Sequence, residues 1–259
     1  MGGLLWRSGV DPLGDGYREP IYGFLAAIFS HPDEGKWGRV LHPQEQRSIT
    51  AAVDLACKSA LKLEYPLLDG ELPASELDAR MLILELCQPL EHLKAEYERV
   101  LCRREPADDC SPFELDHRGV PRGSLAIEQL GRFATTYRAF GFLEDEQLPA
   151  RPDHIAFELG FMYHLALQQR LATRLAPFDP LAARLAARCD LAQRNFFGDH
   201  LAHWVTSFAS GLQEAPGGGY LEALGRVLAA WMPLERLRFG VTEEFEEAMH
   251  PGQELAVGG

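Results

Sequence analysis

Two pairs of polar side chains have a spacing that could support chemistry. His154 and Glu158 lie four residues apart, and His200 and His203 lie three apart, in segments that are otherwise largely apolar. Residues at these separations share one face of a helix, so both pairs could contribute ligands to a metal ion. The sequence lacks the HExxH motif and the paired ExxH motifs of di-iron bundles. A histidine packed in the core is therefore the simpler interpretation, and a metal-dependent enzyme stays an alternative hypothesis.

Other catalytic motifs are missing from the sequence. It contains no GxSxG nucleophile turn, no GxxxxGK[ST] phosphate loop and no GxGxxG motif. Its five cysteines are odd in number and form no CxxC pair, which indicates reduced thiols rather than a disulfide framework or a zinc site. We therefore expect no cofactor and no metal.

Composition excludes further classes of function. The chain has 259 residues, a net charge of −13, and 46% apolar and 24% charged residues, which is typical of a globular protein. This negative charge disfavours binding to nucleic acid and favours a cationic partner. No apolar run is long enough for a signal peptide or a spanning helix. The sequence therefore predicts a cytoplasmic protein without membrane insertion.

An acid and a histidine stand together where a strong helical pattern begins. In the segment PDHIAFELGFMYHLA, residues 152–166, apolar side chains recur on two sides of the predicted helix. We expect Pro152 to fix the entry of the chain and Asp153 to be the N-cap of a helix over 154–175. A helix that is apolar on two sides is expected at the centre of the fold.

The remaining sequence shows helical rather than alternating periodicity. Ser75 with Asp78, and Ser124, are predicted to cap two helices, and an irregular linker is expected over Cys102–Arg122. The sequence predicts an all-α, single-domain bundle of roughly eight to ten helices. Further helices are predicted over about 17–30, from Pro43 to before Pro66, from Ser75 to Leu101 with a restart at Pro89, and over 124–140, 180–198, 199–212 and 220–239. A flexible N-terminus (1–16), a helical domain (17–240) and an acidic, disordered tail (241–259) complete the predicted organisation.

Four segments of the chain match one known family in content, order and separation. They are YREPIYGFLAAIFSHP (17–32), EYERVLC (96–102) with SPFEL (111–115), LPARPDHIAFELGFMYHLA (148–166) and NFFGDHLAHWVTSFASGL (195–212). With these segments the chain resembles the TorD/DmsD/NarJ family of redox-enzyme maturation chaperones over roughly residues 17–232. It departs from the family pattern at Cys102, where Phe is usual, and at Leu115, where Ser is usual.

The resemblance implies an all-helical, cytoplasmic chaperone without a reaction of its own. Members of this family bind the apo form of a molybdenum enzyme of the dimethyl-sulfoxide-reductase type, in many cases through its twin-arginine signal peptide. They hold the client for molybdopterin cofactor insertion and delay export until it is folded. The early helix and the long linker favour the branch that serves type II enzymes of this kind. A monomer or a helix-swapped dimer would fit.

The resemblance also implies a peptide-binding site. The family's Asp-His pair, Asp153 and His154 here, is implicated in binding the leader. We expect an acidic rim of Asp153, Glu158 and Glu114 to pair with guanidinium groups, and aromatic residues, Phe161 among them, to line a groove. The expected site comprises Pro152, Asp153, His154, Glu158, Tyr97, Phe113, Glu114, His200 and Trp204. A helical scaffold without any peptide groove is the remaining alternative.

Overall fold

The computed structural model describes residues 15–61, 63–102, 109–121, 123–143 and 149–241. Within these residues the chain forms α-helices and short 3-10 helices and no strand, so the predicted all-α fold is confirmed. The predicted flexible N-terminus and acidic tail lie almost wholly outside the described residues. The helices are α1 (Arg18–Ile28), α2 (Trp37–Val40), α3 (Pro43–Ala60), α4 (Arg80–Glu85), α5 (Leu90–Leu101), α6 (Glu114–His117), α7 (Ser124–Ala139), α8 (Ile155–Leu175), α9 (Pro180–Asp199), α10 (Val205–Glu214) and α11 (Tyr220–Phe239).

Helix α8 is buried on both of its predicted apolar sides, one with Ile155, Leu159 and Met162 and the other with Phe161 and Leu165. It packs against α1 and against α9, while α10 packs against α11. Gly23 allows α1 and α8 to approach closely, because a Cβ atom at this position would lie 3.0 Å from the ring of Tyr163. This close contact with α1 in the middle of α8 holds the whole helix, including its first turn, in place.

A buried ion pair joins the first helix to the last. Arg18 donates to Glu235 at 2.8 and 2.6 Å and to Gln193 of α9 at 2.7 Å, and the hydroxyl of Tyr22 donates to the same carboxylate. Both charged side chains are almost completely buried. Such a pair is tolerated in the core only when the remaining hydrogen-bonding groups are satisfied, and Gln193 and Tyr22 do this.

Two predicted helix caps are wrong. Gly123, with a φ of 139°, is the N-cap of α7, and Ser124 is its first helical residue. Glycine is suited to this position because side chains strain a backbone with positive φ. Ser75 lies within the 3-10 helix Ala74–Glu76, and α4 begins only at Arg80, whose backbone N–H donates to Asp78 at 2.9 Å. The serine side chains therefore do not mark these helix starts.

Some element boundaries also differ from the prediction. Helix α3 agrees with the prediction, since it begins at Pro43 and ends at Ala60, before Pro66. Helix α9 ends at Asp199 instead of a new helix beginning there, and α10 follows the 3-10 helix Leu201–His203. The predicted irregular linker contains the short helix α6, which brings its residues against α8.

Candidate functional site

Two segments that lie far apart in the sequence pair through their backbones. The N–H of Ile155 donates to the carbonyl of Pro112 at 2.9 Å, and the N–H of Glu114 donates to the carbonyl of Asp153 at 3.0 Å. Phe113 and His154 face each other in this antiparallel bridge. The pairing fixes α6 against the first turn of α8, so the side chains of SPFEL and PDHI converge.

Asp153 is fully buried, and it is not the N-cap of α8. His154 has that role, because its Nδ1 accepts from the N–H of Ala156 at 3.1 Å. The carboxylate of Asp153 accepts instead from Nε and Nη2 of Arg151, at 2.8 and 2.7 Å, and from the N–H of Leu115 at 3.2 Å. The predicted cap is wrong because these partners, one of them from a distant segment, hold the carboxylate elsewhere.

Glu114 is buried between a cation and a histidine. Its Oε1 accepts from Arg118 at 2.6 Å, and its Oε2 lies 2.9 Å from Nδ1 of His200. The ring of His200 in turn packs against Phe133 and Phe196, with centroid distances of 4.4 and 4.6 Å. The predicted site residues Glu114 and His200 are therefore brought together by the fold.

Glu158 is a buried carboxyl group with one partner. Its Oε2 accepts from the indole N–H of Trp204 at 3.3 Å, and its Oε1 has no hydrogen-bond partner. Burial raises its pKa well above the ordinary value, and the charges of Glu114 and Asp153 raise it further. The neutral acid is therefore favoured well above pH 4.5, where an exposed glutamate would ionise.

The expectation of an acidic rim needs correction. Asp153, Glu114 and Glu158 are all fully buried, and two of them are already paired with arginines of this chain. Trp204 and Phe161 are likewise core residues rather than groove residues. Helix periodicity placed Glu158 and Phe161 on one predicted helix but could not show which distant segments cover them.

A cavity of about 260 Å³ opens beside this cluster. Tyr97, Phe113 and His154, all predicted site residues, line it together with Phe157. The charged side chains in its described wall are Glu34, Lys36 and Arg151. Instead of the predicted acidic rim, the described residues form a cavity with aromatic walls and charges of both signs.

His154 connects the cavity to the buried cluster. It is partly buried, and its ring packs edge-on against Phe113 at 5.0 Å. Burial lowers its pKa to about 4, and the positive charges of Arg151 and Lys36 act in the same direction. The imidazole is therefore neutral near pH 7, and it can offer packing and hydrogen bonding but no charge.

The residues of the metal hypothesis do not converge. Glu158 bonds to Trp204, and His200 bonds to Glu114. In the described parts of the chain, no group of three or more His, Cys, Asp or Glu side chains has a geometry that could hold a metal ion. The histidines and the glutamate of this hypothesis therefore form no such group in the described chain.

Among the residues that the structure describes, none of the helices combines the length and the apolar character of a membrane span.

Sequence reasoning missed the two arginines that neutralise the site. Arg151 and Arg118 bind the carboxylates of Asp153 and Glu114. Arg118 was detectable in principle, because it follows Glu114 by four residues, a spacing that favours pairing on one helical turn. Arg151 precedes Asp153 by only two residues in a loop, and no periodicity predicts a contact of that kind.

Comparison with known proteins identifies the family of this chain. The family model described as the nitrate reductase delta subunit matches residues 71–210, more than half of the chain. The chain belongs to this family. All nine predicted site residues lie within the part that matches the nitrate reductase delta subunit model. The predicted family is thereby confirmed, and its members are redox-enzyme maturation chaperones rather than catalysts.

One solved structure resembles this member of the nitrate reductase delta subunit family. It is the crystal structure of a redox enzyme maturation protein from Archaeoglobus fulgidus, with 20% sequence identity and a TM-score of 0.42. The alignment covers 90% of this chain and 99% of that chain. No curated protein matches the sequence.

Proposed function

We propose that this chaperone holds the apo catalytic subunit of a molybdenum enzyme in the cytoplasm and binds its twin-arginine leader at the cavity beside His154. One observation carries the proposal. The pairing of Phe113 with His154 joins two segments of the family resemblance at the wall of a cavity. Binding there would support cofactor insertion before export. Monomers and helix-swapped dimers are both compatible with such a site.

The cavity has the chemistry to hold part of a leader peptide. Aromatic rings of Tyr97, Phe113 and Phe157 offer apolar surface to a leader's hydrophobic residues and a stacking face to its guanidinium groups. A volume of about 260 Å³ is below the range typical of drug-sized ligands. The cavity therefore suits one or two anchoring side chains, with the rest of the peptide on the surface.

The nine predicted residues divide into two groups in this proposal. Tyr97, Phe113 and His154 line the cavity in which the peptide would lie. The other six support these three from beneath, because they are buried or bonded within the cluster. They are Pro152, Asp153, Glu114, Glu158, His200 and Trp204.

The proposal is tested with a histidine substitution and a matched control. His154→Asn keeps a side chain that can cap α8 but removes the ring that packs on Phe113. His42→Asn is the same change at a second capping histidine, whose Nδ1 accepts from Gln44 at 3.2 Å at the start of α3. Isothermal titration of the full chain uses a synthetic peptide with two consecutive arginines followed by an apolar segment.

We expect His154→Asn to weaken binding by about tenfold, in the range for loss of one well-packed contact residue. His42→Asn should leave the affinity unchanged, because this residue does not line the cavity. Thermal melting of both variants controls for loss of fold. Equal affinities for wild type and His154→Asn would reject the cavity as the peptide site.

A further inference from the structure

Arg151 occupies a site that is shaped for a guanidinium group. Its Nε and Nη2 form a two-pronged contact with Asp153 at 2.8 and 2.7 Å, and Nη2 also lies 3.1 Å from Oδ1 of Asp116. The guanidinium carbon stands 4.1 Å from the centroid of the Phe113 ring. A planar fork held by two carboxylates and one aromatic face is a geometry that arginine satisfies and lysine does not.

This guanidinium site opens onto the cavity. Arg151 lines the cavity and keeps 33% of its side chain exposed, whereas Asp153 beneath it is 0% exposed. A ligand therefore reaches the carboxylate only by taking the place of the Arg151 side chain. Asp116 is also partly exposed, so the displaced guanidinium can move toward solvent without losing every partner.

The other arginine of the cluster is held differently. Arg118 bonds to one carboxylate, Glu114, and to the backbone carbonyl of Asp199 at 3.0 Å. It does not line the cavity, and in the described part of the chain no aromatic ring stacks on its guanidinium. Of the two internal arginines, Arg151 is thus the one in a position that an incoming peptide could take.

We propose that Arg151 stands in for an arginine of the bound peptide and is displaced when that peptide binds. The inference rests on the proposed function and adds a mechanism to it. The exchange of one guanidinium for another selects arginine over lysine, because only arginine restores both prongs of the contact with Asp153. It also limits the affinity for the peptide, because Arg151 competes with the peptide's arginine for the same site.

The first test compares two variants and two peptides by isothermal titration of the full chain. Arg151→Ala removes the internal competitor, so the affinity for the peptide with paired arginines should rise by about tenfold. The same peptide with both arginines replaced by lysine should show little gain. Arg151→Lys, which keeps the charge without the fork, should give an intermediate gain, and it serves if Arg151→Ala does not fold.

The second test needs no peptide. Low millimolar guanidinium chloride should raise the melting temperature of Arg151→Ala relative to sodium chloride of equal ionic strength, because the free ion refills the site. The matched control is Arg80→Ala. Arg80 also contacts two carboxylates, those of Asp54 and Asp78, but it is exposed and does not line the cavity. This variant should not be stabilised.

The outcomes separate the inference from the proposed function. If the arginine peptide binds wild type but binds Arg151→Ala no more tightly, the displacement is overturned and the proposed function stands. If the peptide binds neither protein while guanidinium stabilises Arg151→Ala selectively, the proposed leader binding is overturned and the guanidinium site is upheld. If guanidinium stabilises neither variant, the site itself is refuted.

Discussion

Replacing Glu158 by glutamine should make the stability of the protein less sensitive to alkaline pH. A protonated carboxyl group and a carboxamide have nearly the same shape, and each offers one acceptor and a donor. The acceptor can keep the hydrogen bond from Trp204, and the donor takes the place of Oε1, which has no partner in the folded chain. The substitution therefore removes the titration of Glu158 with little change in packing.

The magnitude follows from proton linkage. The folded-state pKa of Glu158 is raised by burial and by Glu114 and Asp153, so the folded chain retains this proton where the unfolded chain loses it. The contribution is fully present below about pH 4.5 and is lost as pH rises toward the raised pKa, at about 1.4 kcal/mol per pH unit. Glu158→Gln should therefore gain up to about 3 kcal/mol relative to wild type between pH 5 and pH 7.

The assay is urea unfolding of both proteins at pH 5, 6, 7 and 8, with the difference in unfolding free energy plotted against pH. Taking the difference cancels other groups, including His154, whose lowered pKa gives a slope of the opposite sign below pH 6.5. Glu128→Gln, at an exposed position on α7, is the matched control and should show no such slope. A flat difference for Glu158→Gln would refute the assignment of a buried neutral acid.

Three further predictions concern capping, the buried ion pair and helix packing. His154→Asn should abolish a loss of about 3 kcal/mol as pH falls from 6.5 to 4, because the folded chain resists protonating this imidazole. Urea unfolding at pH 4 and pH 7 measures this loss in both proteins. Arg18→Met should lower the unfolding free energy by about 3–5 kcal/mol, because Glu235 is left buried without its cation; near-wild-type stability would contradict this. Gly225→Ala should destabilise the protein by about 1–3 kcal/mol, since its Cβ would lie 2.7 Å from a carbonyl oxygen of α10. Gly131→Ala has no atom within 4 Å of its Cβ and should stabilise the protein by about 0.5–1 kcal/mol. Thermal melting compares the two variants.

The helices could be predicted from the sequence because their signals are local. The apolar stripes of α8 and the first-turn prolines of α3 and α9 depend only on residues within a few turns. The wrong caps share one cause. Ser124, Ser75 and Asp153 are all good capping residues, but each was displaced by a tertiary or backbone preference nearby. Gly123 has the backbone conformation for the N-cap of α7, Asp78 instead of Ser75 accepts from the first residue of α4, and Asp153 binds Arg151.

The site could be predicted only in part, because its charges are balanced by tertiary contacts. The sequence predicts Asp153, His154 and Glu114 as site residues, and the fold does bring them together. Their burial and their pairing with Arg151 and Arg118 depend on where the segment SPFEL folds back, which no periodicity encodes. Composition also misled, because a net charge of −13 says nothing about the sign of one cavity.

The tie between Arg18 and Glu235 has a consequence for synthesis of the protein. The guanidinium leaves the ribosome 217 residues before its counterion and the helix that carries it. Until α11 emerges, α1 cannot take its final place without burying an uncompensated charge. The nascent chain therefore cannot close its core around α1 until α11 has been synthesised.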